Sequence, residues 1–183
     1  MIVVIGTPDS GKSEFAEKVI SSIEGVKYYL ATMETLTEAS KERIEKHRKL
    51  REGKDFLTVE KEVNLEEVAP IFAGKNVLLE CMTNLVTNEL YNYCGDRAAE
   101  EEDIQAIANK VVSEVQAVAD SASEIVIVTN NAFAGSDAEN DWSFSYSKIM
   151  GMVNLEILAK ADTVYNVSKG RGACLKGENK WES

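Results

Sequence analysis

Gly6-Thr7-Pro8-Asp9-Ser10-Gly11-Lys12-Ser13 decides the fold of this chain, because it fits the pattern G-x-x-x-x-G-K-[ST] directly after an apolar run, Met1 to Ile5. The pattern has a physical basis. Small residues let successive backbone N–H groups curl around phosphate oxygens, Lys12 brings a point charge to the outer phosphates, and the Ser13 hydroxyl is a ligand for Mg²⁺. A helical pattern follows at once, with Phe15, Ala16, Val19, Ile20 and Ile23 on one side, so the loop sits on a helix N-terminus whose dipole favours anions. Strand, loop and helix come in the order a nucleoside triphosphate site requires.

Outward from that loop, apolar runs read as strands at Ile2–Ile5, Val26–Leu30, Phe56–Val59, Val77–Leu79, Ile125–Thr129, Thr163–Val167 and Ala173–Lys176. Helical patterns separate most of them. The clearest spans Asp103 to Ser121, where Ile104, Ile107, Ala108, Val111, Val112, Val115 and Ala119 recur at the helical period. This alternation predicts an α/β, P-loop nucleotide-binding fold with a mostly parallel central sheet and helices on both faces, ligands binding beyond the carboxyl ends of the strands. At 183 residues the chain reads as one domain, 1–183. Residues Asn130 to Trp142 form the one long irregular stretch, read as a substrate-side lid or a loop tip.

Composition narrows the partners. The net charge of −11 argues against a broad nucleic-acid face, and no apolar run is long enough for a membrane span or a secretory leader, so a cytoplasmic protein is expected. Cys81, Cys94 and Cys174 lack metal-ligand spacing and read as reduced thiols, with Cys81 in core packing. Positive charge is concentrated locally. Lys41, Arg43, Lys46, Arg48, Lys49, Arg51 and Lys54 are seven of the chain's twenty basic residues, a concentration suited to a small polyanion.

Thr35-Leu36-Thr37-Glu38 reads as a capping box opening a helix from Leu36 to about Leu50. On it Arg43, His47 and Arg51 share a face at i, i+4 and i+8. His47 is the only histidine. Flanking cations penalise its protonated form, which leaves the imidazole neutral and able to attack phosphorus. A third anchor is the strand Val77-Leu78-Leu79 ending in Glu80, a carboxylate placed to hold Mg²⁺ opposite the phosphate loop.

Together these residues resemble the bifunctional adenosylcobinamide kinase / adenosylcobinamide-phosphate guanylyltransferases of cobalamin biosynthesis. The likeness runs from residue 1 to about residue 176. It rests on the phosphate loop, Tyr29-Leu30-Ala31-Thr32, Arg43-Ile44 followed by His47 and Arg51, Thr58-Val59-Glu60, Leu78-Leu79-Glu80-Cys81-Met82-Thr83, Val86-Thr87-Asn88, Val128-Thr129-Asn130, Gly151 with Asn154, and Ala161-Asp162. The resemblance implies transfer of the terminal phosphate of GTP or ATP to adenosylcobinamide. A histidine, here His47, then takes GMP from GTP and passes it to the phosphorylated corrinoid.

Carried over by position, the nucleotide contacts are Gly6, Thr7, Pro8, Asp9, Ser10, Gly11, Lys12, Ser13, Thr32, Met33, Glu34, Arg48, Lys49, Leu50, Arg51, Glu60 and Glu80, with Ser13 and Glu80 holding Mg²⁺. Glu60 or Glu80 reads the guanine N1 and N2 donors. The same resemblance implies a homotrimer acting on a corrinoid small molecule, with neither nucleic acid nor membrane as partner. The chain departs from the family pattern at Asn131-Ala132-Phe133-Ala134-Gly135, at Phe144, Ser147 and Leu155, and at Phe56 in place of a tryptophan. Those departures keep two alternatives open, guanylyl transfer without the kinase step and a GTP-binding regulator without turnover.

Overall fold

The computed structural model describes residues 1–34, 55–131 and 141–181. Among the described residues seven strands form one sheet: β1 (Ile2–Gly6), β2 (Lys27–Ala31), β3 (Phe56–Glu60), β4 (Asn76–Glu80), β5 (Glu124–Asn130), β6 (Thr163–Ser168) and β7 (Arg171–Lys176). Their spatial order is β3-β2-β4-β5-β1-β6-β7, parallel throughout except for the antiparallel β6–β7 pair. β1 has a parallel neighbour on each side and both of its faces are covered, which is why its sequence is an unbroken apolar run rather than an alternation. The chain leaves β1 toward β2 on one side and returns with β6 on the other. That reversal is where an open α/β sheet holds its ligand.

Period-two alternation divides the core between the two faces. Val3, Leu30, Val77, Leu79, Ile125, Ile127 and Val164 pack under α2 (Met82–Cys94), α3 (Glu101–Ser121) and α4 (Asp141–Lys160). Ile2, Val4, Tyr29, Leu78, Val126, Val128, Tyr165 and Val167 pack on the opposite face with Phe15, Ala16, Val19 and Ile20 of α1 (Lys12–Ser21). Both faces therefore carry helix, as the sequence pattern predicts.

The differences from that pattern are local. Helix α3 begins at Glu101, two residues before the apolar periodicity does, because Glu100 and Asp103 form a reciprocal capping box. β5 continues through Asn130 and α4 opens at Asp141, so both ends of the stretch read as irregular belong to regular elements; positions 132–140 lie outside the described residues. The expected helix from Leu36 to Leu50 lies outside them as well. Cys81 packs against the core, as expected, but is only half-buried, because it follows the last residue of β4 at the ligand end of the sheet. The β6–β7 connection is a two-residue turn in which Lys169 (φ 51°) and Gly170 (φ 77°) are both left-handed, the backbone that matches strand twist in a tight hairpin.

One buried polar cluster ties the helices to the β3–β4 connection. The Glu89 carboxylate of α2 accepts from the Asn64 backbone N–H at 3.2 Å and from Lys110 Nζ at 2.6 Å, and the Glu114 carboxyl of α3 accepts from the Leu65 N–H at 3.3 Å. Both carboxyl side chains are almost wholly buried, at 1% and 2% exposure. Burial, followed by the neighbouring Glu89, pushes the Glu114 carboxyl up to about 8. A carboxyl that holds its proton more tightly folded than unfolded stabilises the fold below pH 4.5, and that contribution is lost as pH rises toward 8. Thermal melts should therefore show Tm falling between pH 5.5 and 8.5, at roughly 2–4 °C per kcal/mol lost. Glu114→Gln keeps an acceptor for Leu65 without the ionisation and should flatten that slope by about half or more; an unchanged slope would refute the assignment.

Candidate active site

The first strand ends at Gly6 and the first helix starts at Lys12, so the loop between them lies at the carboxyl edge of the sheet. Close packing explains its two glycines. A Cβ at Gly6 would stand 2.5 Å from Ser10 Oγ and 2.7 Å from the Val167 carbonyl, and Gly11, at φ 83°, would meet Gly170 Cα at 2.9 Å. The β6–β7 turn is fastened to the loop, with the Gly170 N–H donating to the Ser10 carbonyl at 2.7 Å. Lys12 Nζ folds over the loop and donates to the Thr7 carbonyl at 3.1 Å. Burial lowers the Lys12 ammonium below the ordinary lysine range, and the charges of Glu80 and Asp9 work against that.

Ser13 donates from its hydroxyl to Glu80 Oε1. This contact joins α1 to a strand that is not adjacent to β1, since β5 lies between β1 and β4. Around it opens a cavity of about 850 Å³ lined by residues 8–14, by Tyr29, Ala31, Met33 and Glu60 on one flank, by Glu80, Cys81, Thr83, Asn84, Val128 and Asn130 at the centre, and by Lys169 and Gly170 on the other flank. That volume suits a nucleotide-sized ligand.

The structure brings together Pro8, Asp9, Ser10, Gly11, Lys12, Ser13, Met33, Glu60 and Glu80 at this one cavity. Gly6 and Thr7 shape the loop from behind. Thr32 is fully buried and its hydroxyl is engaged twice with Cys81, donating to the carbonyl at 2.8 Å and accepting from the N–H at 2.9 Å. It acts as a tie between the ends of β2 and β4. Glu34 is exposed and does not line the cavity. His47, Arg48, Lys49, Leu50 and Arg51 lie outside the described residues.

Lys169, Tyr29 and Thr83 line the site without having been singled out as contacts from sequence. For Lys169 the usable signal was Ser168-Lys169-Gly170-Arg171 between two apolar runs, a hairpin turn placed beside β1 only by the strand order. Asn88 is a further structural contributor. Its amide donates to the Thr32 carbonyl at 2.8 Å and the Glu62 carbonyl at 3.0 Å, holding the ends of β2 and β3 against α2.

A family model described as cobinamide kinase / cobinamide phosphate guanyltransferase matches residues 2–175. The chain belongs to this family. Among its relatives, the bifunctional adenosylcobalamin biosynthesis protein CobU of Escherichia coli (strain K12) is 36% identical over 182 residues, an alignment covering 96% of this chain and 99% of that protein. The protein of the same name from Salmonella typhimurium (strain LT2) is 32% identical with the same coverage. A solved structure, a prototypical ATPase from the type III secretion system of pathogenic bacteria, shares the fold at TM-score 0.55 and 11% identity, covering 94% of this chain and 56% of that one. The family thus rests on sequence over nearly the whole chain, and the P-loop α/β fold on the sheet described above.

Proposed function

We infer that this chain carries both activities of its family, phosphorylation of adenosylcobinamide with GTP or ATP and transfer of GMP from GTP to adenosylcobinamide phosphate. The observation that carries this reading is the convergence of Lys12, Ser13 and Glu80 on one cavity in a chain whose family match runs from 2 to 175. In the first reaction an alcohol oxygen of the corrinoid side chain bonds to the γ-phosphorus, the γ-phosphorus–bridging-oxygen bond breaks, the nucleoside diphosphate leaves with the electron pair, and the alcohol proton passes to solvent. Little covalent chemistry falls to the protein in such a transfer; its work is positioning and charge neutralisation. The loop N–H groups and Lys12 supply both.

Ser13 and Glu80 offer hard oxygen donors that already meet each other, a donor set that fits Mg²⁺. The metal would neutralise charge building on the phosphates. Glu60 and Glu80 divide the remaining work by position. Register places Glu60 and Glu80 on opposite sides of Ala31, about 10 Å apart across two strand spacings. Glu80, bonded to Ser13, belongs to the phosphate end, which leaves Glu60 as the carboxylate for the guanine N1 and N2 donors.

In the second reaction a His47 ring nitrogen bonds to the α-phosphorus of GTP and pyrophosphate leaves. A phosphate oxygen of the corrinoid then displaces the imidazole from that phosphorus, giving adenosylcobinamide-GDP and free His47. Thr32, Met33, Glu34, Arg48, Lys49, Leu50 and Arg51 belong to the same reading as nucleotide contacts. So do a single transferase domain over 1–183, a homotrimeric assembly and a cytoplasmic location, the last supported by the free thiols of Cys81, Cys94 and Cys174.

The test is product formation. With Mg²⁺, adenosylcobinamide and GTP labelled at either the α- or the γ-phosphate, the pure protein should give phosphorylated corrinoid and then adenosylcobinamide-GDP. The γ-label should appear in the intermediate, and the α-label only in the final product. Guanylylation of supplied corrinoid phosphate without any γ-label transfer would instead establish a guanylyltransferase lacking the kinase step.

A further inference from the structure

At the centre of the cavity, β5 brings Asn130 to the position between the phosphate loop and Glu80. Asn130 is the register partner of Gly6, and the next residue's N–H donates to the Gly6 carbonyl at 3.3 Å. Its side chain and its backbone carbonyl are each held by one hydrogen bond. The Nδ2 group donates to Thr83 Oγ1 at 2.6 Å. The Asn130 carbonyl accepts from Asn154 Nδ2 at 2.9 Å, and Asn154, nearly buried on α4, is itself fixed by the Thr129 hydroxyl at 2.7 Å. The remaining amide atom, Asn130 Oδ1, is buried and has no hydrogen-bond partner among the described residues. A buried acceptor left unsatisfied is uncommon in a native fold, and this one belongs to a residue that lines the cavity beside Glu80 and the phosphate loop.

Thr83 carries the arrangement outward. Its hydroxyl, the acceptor for Asn130, lies beside the phenol of Tyr146 on α4, and the Tyr146 ring lies parallel to Trp142 with centroids 5.9 Å apart. Asn130 and Thr83 line the cavity, so the hydrogen-bonded Asn130–Thr83 pair stands between the aromatic pair and the phosphate site.

We propose that Asn130, Thr83 and Tyr146 form the acceptor subsite for phosphoryl transfer, with Asn130 Oδ1 receiving the hydrogen bond of the attacking alcohol. This rests on the kinase activity inferred above. The alcohol loses its proton to solvent as its oxygen bonds to the γ-phosphorus and the nucleoside diphosphate departs; Asn130 holds the O–H in line and takes no proton. Asn130 is thereby a catalytic residue, while Thr83 and Tyr146 are positioning residues that fix which way its amide points.

Two measurements on the full chain test this: steady-state transfer of γ-label from Mg·GTP to adenosylcobinamide, and equilibrium dialysis, without corrinoid, of Mg²⁺ with a GTP analogue that cannot be cleaved at its α–β bridge, whose Kd stands for that of Mg·GTP. Asn130→Ala should lower kcat for label transfer by about 10²-fold, with the Kd for Mg·GTP changed by less than about threefold. Tyr146→Phe, which keeps the ring and its stacking, should lower kcat by roughly three- to tenfold, again with unchanged nucleotide Kd. A rise in nucleotide Kd parallel to the loss of transfer would overturn the proposal and make Asn130 a wall of the nucleotide pocket. Normal label transfer in Asn130→Ala, or in Tyr146→Phe should the former not fold, would overturn it as well. Absence of transfer by the wild-type chain would sink the kinase reading itself and the proposal with it, an outcome distinct from a variant-specific result.

Discussion

Lys12→Ala is expected to abolish both reactions, lowering kcat/KM for phosphoryl and for guanylyl transfer by about 10²–10³-fold each, while leaving the melting temperature nearly unchanged. The reasoning rests on where the ammonium works. In the free protein Lys12 Nζ donates to the Thr7 carbonyl, a charge-assisted hydrogen bond whose gain of about 1.5–3 kcal/mol is offset by the burial of the charge, so little fold stability is lost with it. With a triphosphate bound, the same group is the loop's point charge against the outer phosphates, in a site where burial strengthens each charge interaction. In the proposed function both reactions bind a triphosphate in this loop and both expel an anionic leaving group, diphosphate in one case and pyrophosphate in the other. Lys12→Arg should not restore activity, because a planar fork cannot replace a compact ammonium inside a loop closed by Gly170. Full guanylyl transfer in Lys12→Ala would mean that the two reactions do not share the phosphate site.

Much of this architecture is legible in the chain itself. β1, β4 and β5 are short β-branched and leucine runs because strands covered on both faces have no reason to alternate, and the glycine loop names its ligand class through spacing alone. Strand order is different. Nothing in the sequence says that β5 lies between β1 and β4, yet that placement brings Asn130 between the loop and Glu80. Long-range pairings of this kind are fixed by burial of whole faces rather than by any local signal.

Polar residues mislead in a related way. Glutamates within helices are ordinarily solvated, yet Glu89 and Glu114 are buried and hold backbone N–H groups of the β3–β4 connection. Thr32 reads as a ligand contact, and the structure engages its hydroxyl in tying β2 to β4. A side chain with one or two hydrogen-bonding atoms looks the same in sequence whether its partner is a nucleotide or the neighbouring strand. Lys169 was hidden for the complementary reason, since a lysine in a hairpin turn is usually solvated and only the contact between Gly170 and the loop places this one at the cavity.

His47→Ala has the second large expected effect, complete loss of GMP transfer with phosphoryl transfer retained. Residues 35–54 join the cavity end of β2 to the start of β3, so the only histidine of the chain is carried by a segment that leaves from the rim of the site. On the helix expected from the sequence, Arg43 and Arg51 at i−4 and i+4 would disfavour its protonated form and supply positive charge for an α-phosphate. An uncharged imidazole attacking that phosphorus splits one hard displacement into two easier ones. Phosphoryl transfer needs no such nucleophile, because the alcohol of the acceptor attacks directly, and so it should survive the substitution.

The most direct measurement is incubation of the pure protein with Mg²⁺ and GTP labelled at the α-phosphate, without corrinoid, followed by denaturation and counting of protein-bound label. Wild type should carry a base-stable, acid-labile label that chases into adenosylcobinamide-GDP on addition of adenosylcobinamide phosphate, and His47→Ala should carry none. An unlabelled wild type, or label that persists in His47→Ala, would contradict guanylyl transfer through His47.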